Sequence, residues 1–214
     1  MIRRHKHRNR RSKERSKSPD SESDSDSDID DQGVYTLGTD IYFYTDVDVA
    51  SVSKLTRQLH KLETKLLKKA VDLPGYTPQI RIFIRSDGGD VHAGFGVMDQ
   101  LRNSRVRVIT VADGMCASAA TLILFGGAVR TMKQHAVVLI HQMSIGGFWG
   151  TFSELKDEAE NCERLMEMLR DVYASGTAIP KKRLKEFMQK DVHLTAAECL
   201  EYRIVHELAC RGSA

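Results

Sequence analysis

The sequence predicts an α/β fold preceded by a charged tail. Three observations carry that reading. Beyond residue 33, short β-branched and aromatic runs alternate with longer runs whose apolar residues recur at spacings of three and four. The short runs end at a glycine pair, a small-residue corner or a histidine, the strand ends where such sheets collect their sites. Residues 1–32 sort their charge into a basic block and an acidic block with almost no apolar content.

The tail comes first. Residues 1–17 are basic or polar, and residues 18–32 are Ser/Asp/Glu repeats. Neither block buries enough apolar surface to offset ordering entropy, so residues 1–33 are expected to be disordered and residues 34–210 to form one domain. The basic block reads as a solubilising tail, with polyanion binding or a nuclear address as the alternatives. The serines that precede acids suit an acidophilic kinase. The acid run that follows at once argues against a transit peptide.

In the domain, Ile41–Tyr44 reads as a strand. Val52, Leu55, Leu59, Leu62 and Leu66 then mark an amphipathic helix over Val49–Ala70. Pro74, Gly75 and Pro78 break the chain. Ile80–Arg85 is a strand, Ser86–Asp90 a tight turn, and Val91–Leu101 a helix. Val106–Val111 is the next strand. It leads into the corner Asp113–Thr121, and Ala119–Phe125 leaves that corner as a helix. Ala136–Ile140 is a strand that runs straight into His141. A long helix over Thr151–Ser175 turns Leu155, Ala159, Cys162, Leu165 or Met166, Leu169, and Val172 or Tyr173 inward. Gly176 ends it, and Pro180 opens the next helix at its first turn. Asp191–Leu194 is a connector, Thr195 and Glu198 form a capping box, and Ile204–Val205 closes the chain as a strand.

Composition limits the chemistry. The chain has 214 residues, a net charge of +3 and a 41% apolar share. That charge is too small to imply nucleic acid by itself. No run of about 18 apolar residues predicts a membrane span, and no apolar N-terminal core predicts a secretory signal. The four cysteines lack paired or ligand spacing, and no His/Cys/Asp/Glu cluster suits a metal. No cofactor is expected, and a reducing compartment is.

Ser118 sits in the small-residue corner near a helix start, where free N–H groups and the helix dipole favour developing negative charge. The bland alternative is a tightly packed corner with an idle serine. Acyl transfer needs a base, a group that orients it and backbone donors for the oxyanion. His141 is the best-placed base, since a buried-looking strand would hold its ring. His193 is its rival, because it shares a connector with Asp191. Gly88 and Gly89 can present bare N–H groups to an oxyanion. A phosphate loop is excluded, since DGGDVHAG has neither the lysine nor the glycine spacing.

Taken together, Ser86-Asp87-Gly88-Gly89 after a strand, Ala117-Ser118-Ala119-Ala120, Ile140-His141-Gln142 and Asp191 before Leu194-Thr195-Ala196-Ala197-Glu198 resemble the ClpP family, the proteolytic subunit of Clp proteases. The resemblance runs from about Ile41 to Leu208. It implies a crotonase-like α/β fold of repeated β-β-α units with a long handle helix, and serine endopeptidase activity. It implies Ser118 as nucleophile, His141 as general base and Asp191 as the residue that orients it. It assigns the oxyanion hole to the N–H groups of Gly88 and Ala119, and substrate-strand pairing to Gly146 and Gly147. The implied partners are a polypeptide substrate, further copies in a heptameric ring stacked as a tetradecamer, and an AAA+ ATPase. A cytoplasmic location without membrane attachment is expected. Asp87 and Met143 stand where the family usually has proline, and the tail replaces the short segment that lines the family's axial pore. The alternatives are a virus-type assembly protease of related fold, a non-catalytic adaptor that acts through its tail, and an acyl-CoA enzyme of crotonase type.

Overall fold

The computed structural model describes residues 33–144, 146, 147 and 149–209. The tail readings therefore lie outside the described residues. The domain is a mixed α/β structure built on one forked sheet. Its elements in chain order are β1 (Val34–Leu37), β2 (Asp40–Phe43), α1 (Val49–Asp72), β3 (Gln79–Ser86), α2 (Val91–Arg102), β4 (Arg107–Ala117), α3 (Ala120–Gly126), β5 (Val129–Met132), β6 (Val137–Leu139), α4 (Phe152–Gly176), α5 (Lys181–Met188), β7 (His193–Leu194), α6 (Ala196–Glu201) and β8 (Glu207–Leu208).

The main branch of the sheet runs β1-β2-β3-β4-β5-β8, and every pair after the β1–β2 hairpin is parallel. Its inner face is a continuous β-branched surface: Ile80, Ile82 and Ile84 of β3 and Val108 of β4 are buried. Helix α1 covers this face with the predicted stripe, since Val52, Leu55, Leu59, Leu62 and Leu66 are all buried. Asp48 caps the helix by accepting from the Ser51 N–H at 2.7 Å.

Strand β4 makes the fork. Ile109–Ala112 pairs with β5, whereas Met115–Ala117 pairs with β6. The strand therefore extends well past Val111, and most of the predicted corner is strand. Gly114, at φ +111, lies between the two pairings, and that backbone is ready for glycine alone. The Asp-Gly pair that opens the predicted corner is the point where one strand changes partners.

Other boundaries also differ from expectation. Ile204 and Val205 are buried but lie in a bend, and the closing strand is β8. The 191–194 connector contains β7, which pairs antiparallel with β6. Pro180 is the N-cap of α5 rather than its first helical residue. Of the inward positions expected on α4, only Leu169 and Tyr173 are buried. Leu155 is half exposed, and Trp149 and Phe152 beside it are bare. The helix leans on the domain with its second half and leaves its first half uncovered.

Candidate active site

The second branch of the fork brings the singled-out residues to one end of the sheet. β4 and β6 are parallel, and their last pair is Ala117 with Leu139. Ser118 and His141 therefore leave the sheet at the same end, one and two residues beyond that pair. β7 runs antiparallel to β6 with Leu139 opposite His193. Stepping two residues on from Leu139 and two back from His193 sets His141 opposite Asp191. The side chains meet accordingly, with His141 Nδ1 3.5 Å from Asp191 Oδ1. The Asp191 side chain is 79% exposed, and the His141 ring is largely buried. The rival His193 sits in β7 across from Leu139 and is exposed.

Ser118 is held in a conformation that side chains avoid. Its φ is +52, which costs a non-glycine residue about 1–3 kcal/mol. Its N–H donates to the Leu139 carbonyl at 2.9 Å. Its own carbonyl accepts from the Thr121 N–H at 3.0 Å and from Thr121 Oγ1 at 2.6 Å. Thr121 Oγ1 in turn shares a 2.7 Å hydrogen bond with the buried Tyr173 hydroxyl of α4. These bonds fix a sharp strand-to-helix turn and leave the serine half-buried.

Gly88 lies directly against that turn. A Cβ placed on it would stand 2.5 Å from Ser118 Cβ and 3.2 Å from the Ala119 nitrogen. Its φ of +110 also favours glycine. The loop is pinned from the segment between β2 and α1, because Val47 N–H donates to the Gly88 carbonyl and Asp90 N–H to the Val47 carbonyl, each at 2.7 Å. The Asp90 carboxylate then caps α2. The Gly88 N–H donates to Ser86 Oγ at 3.2 Å, so this amide is not bare. Among the described residues, Ala119 N–H has no acceptor.

Sequence reasoning missed the Thr121–Tyr173 support and the Ser86 acceptor, because both depend on contacts across the fold. Cys116, two residues before Ser118, is no competing nucleophile. It is fully buried, and burial pushes its thiol well above the usual range. Among the described residues, no Ser118 Oγ–His141 hydrogen bond is formed. Catalytic hydrogen bonds often tighten only when substrate binds. Gly146 and Gly147 are exposed and lie outside any strand.

This geometry has a counterpart in known proteins. The family model for Clp protease matches residues 29–211. The chain belongs to the Clp protease family.

An ATP-dependent Clp protease proteolytic subunit from Cuscuta reflexa is 34% identical over 154 residues, covering 68% of this chain and 77% of that one. A protein of the same name from Chlorokybus atmophyticus is 33% identical over 134 residues, covering 62% of this chain and 59% of that one. Another, from Porphyromonas gingivalis, is 32% identical over 131 residues, covering 60% and 59%. The chain thus spans less than two thirds of the length of the last two. The two positions where this member of the Clp protease family departs from the expected prolines both border the site. Asp87 is exposed on the glycine turn, and Met143 N–H meets Met166 Sδ at 3.3 Å. Beside them, Gln142 N–H donates to the Met188 carbonyl at 2.9 Å. There, α4 and α5 enclose a groove of about 570 Å³ lined by Met166, Leu184 and Met188, with Arg170 and Lys185 also on its walls.

Proposed function

We propose that the protein is a serine endopeptidase of Clp type in which Ser118, His141 and Asp191 act as one unit. The observation that supports this most is the common strand end at which β4, β6 and β7 deliver the three side chains, with Ser118 strained against Gly88. In this reading Ser118 Oγ attacks the scissile carbonyl and His141 takes its proton. Asp191 holds the ring and stabilises the imidazolium. The tetrahedral oxyanion is held by Ala119 N–H and by Gly88 N–H, once the latter turns from Ser86 Oγ. His141 then protonates the leaving amine, and water, deprotonated by the same ring, releases the acyl group.

Residues 34–210 form the peptidase domain. Gly146 and Gly147 pair with extended substrate, and the groove beside Gln142 takes one of its side chains. The bare apolar surface of Trp149, Phe152 and Leu155 supports assembly into stacked rings, which admit unfolded chains delivered by an ATPase partner. The location is cytoplasmic.

Fluorophosphonate labelling tests the reading. One adduct is expected on the peptide that contains Ser118, and Ser118→Ala should lose both the adduct and peptide hydrolysis. Undiminished turnover in a clean Ser118→Ala preparation refutes it.

A further inference from the structure

The site occupies one end of the sheet; its outer face is a separate feature. Helices α1 and α3 both pack against β3, and α2 packs against both helices. On the outer face the registers align Tyr35, Tyr42, Phe83, Val111 and Thr131 in one row, and Asp40, Arg81, Ile109 and Val129 in the next. A groove of about 1060 Å³ lies open there. Its floor is apolar: Phe83, Ile109, Val111 and Val129. Its rim is cationic, with Arg81, Arg85, Arg107 and Lys133.

Three of these cations are held in place before any ligand arrives. Lys133 Nζ is 2.6 Å from Asp113 Oδ1, and Arg85 is 3.7 Å from Asp113 Oδ2. Arg81 makes a two-pronged pair with Asp40 at 2.7 and 2.8 Å. Arg85 stacks over Tyr44, and Lys133 and Arg81 lie over Phe83. The carboxylates sit beneath the cations. Asp113 is 5% exposed, whereas Arg85 and Lys133 are more than half exposed. Arg107 is exposed and has no ion-pair partner among the described residues. Glu207 is the one exposed carboxylate in the lining. The outer surface therefore presents cationic heads above an apolar floor, three of them paired with carboxylates beneath and Arg107 unpaired, and their fixed positions lower the ordering cost of binding an acidic chain.

The chain carries such a segment. Acids occupy every second position from Asp20 to Asp30, with serines or Ile29 between them. In an extended conformation that period of two sets all six carboxylates on one side. The segment ends at Asp31, two residues before Gly33 and the start of β1 at the sheet edge. From there β4 is three strands away, roughly 14 Å at ~4.8 Å per strand. The residues from Ser18 to Asp31 can reach up to about 46 Å when extended, so reach is ample. Tethering gives such a segment a local concentration on the order of millimolar.

We propose that this groove is a docking site for the chain's own acidic segment, residues 18–31. The alternating acids face the Arg81, Arg85, Arg107 and Lys133 rim, and the tail is thereby laid across the outer face of its own sheet.

Zero-length carbodiimide cross-linking of the full-length protein tests this, with isotopically mixed chains to separate intrachain from interchain links. Lys133 should link to carboxylates between Asp20 and Asp31 of the same chain. The yield should fall several-fold when salt rises from about 0.1 to about 1 M, which shortens screening from ~10 to ~3 Å. It should fall similarly in Arg107→Glu. The Lys133–Asp113 link should persist in every sample and report that the sheet is intact. The proposal is overturned if Lys133 links to Asp113 but not to the segment. It is also overturned if the segment links only to lysines 6, 13 and 17 of the basic block, or only to Lys133 of other chains.

Discussion

Gly88→Ala tests whether the glycine turn is built around Ser118. Two costs are legible. The backbone at φ +110 is strained for alanine by about 1–3 kcal/mol. The new methyl would also stand 2.5 Å from Ser118 Cβ and 3.0 Å from the Ala117 carbonyl oxygen, in a turn pinned by Val47. Overpacking of that kind costs about 1–3 kcal/mol more. Relieving the contact needs a shift of ~1 Å, a misplacement that lowers rate about 10²-fold. Gly38→Ala is the matched control: its φ is +64, but a methyl there meets nothing within 4 Å. It should cost about 1–2 kcal/mol and leave activity intact. Urea unfolding at fixed protomer concentration gives the stability difference, and fluorophosphonate labelling rate gives the chemistry. If Gly88→Ala unfolds at the same midpoint as Gly38→Ala and labels at the native rate, the close approach of the two turns does not govern the site.

The other expectations concern neighbouring parts. His141→Ala should match Ser118→Ala in severity, since residues that act as a unit are non-additive, and His193→Ala should lose far less; steady-state hydrolysis of a short peptide distinguishes them. The uncovered half of α4 should be buried in an assembly, so light scattering should give a large multiple of 24.1 kDa, and Leu155→Glu should reduce that mass without lowering the helicity of the protomer. Glu63 is 2% exposed. Burial raises its pKa, but hydrogen bonds from Ser104, His60 and the Arg105 N–H outweigh that and hold it below the ordinary value. A depressed carboxyl stabilises above its unfolded pKa, and that stability is lost as pH falls through the folded value. Glu63→Gln should therefore cost about 1–2 kcal/mol at pH 7 and markedly less at pH 3, read from urea midpoints.

What the sequence made legible was local. The α1 stripe reads directly because its leucines recur at helical spacing, and Ser118 and His141 stand out because each follows a strand signal, whereas Asp191 lies in a stretch that reads as a connector and is reached only through the family resemblance. The boundaries it hid depend on partners. Asp113-Gly114 carries turn chemistry, yet β4 continues through it because two different strands wait on either side. β7 is two residues long and exists only because β6 offers it a ladder. Ile204 and Val205 have strand-like side chains but are buried in a bend. The apolar stripe of α4 has the same period whether it faces its own core or another molecule, so periodicity alone placed Leu155 inside, where the protomer leaves it half exposed.

That same helix links the uncovered surface to the strained turn. Its buried end carries Tyr173, which stacks edge-on against Phe125 of α3 and bonds Thr121, and Thr121 holds the carbonyl of Ser118. Its other end carries the bare residues near Phe152. A residue at φ +52 persists only when its surroundings over-determine it. Here the surroundings are the Leu139 carbonyl on one side and the Thr121–Tyr173 pair on the other. The second of these is supplied by an element half of whose apolar surface has no cover within the protomer. A second copy seated on the first half of α4, as proposed above, would also restrain Tyr173 and with it the turn that holds Ser118. In the proposed assembly, subunit contact and the Ser118 turn would therefore share one mechanical element, and a variant such as Leu155→Glu that weakens the contact should loosen the turn even though no residue of the proposed site is changed.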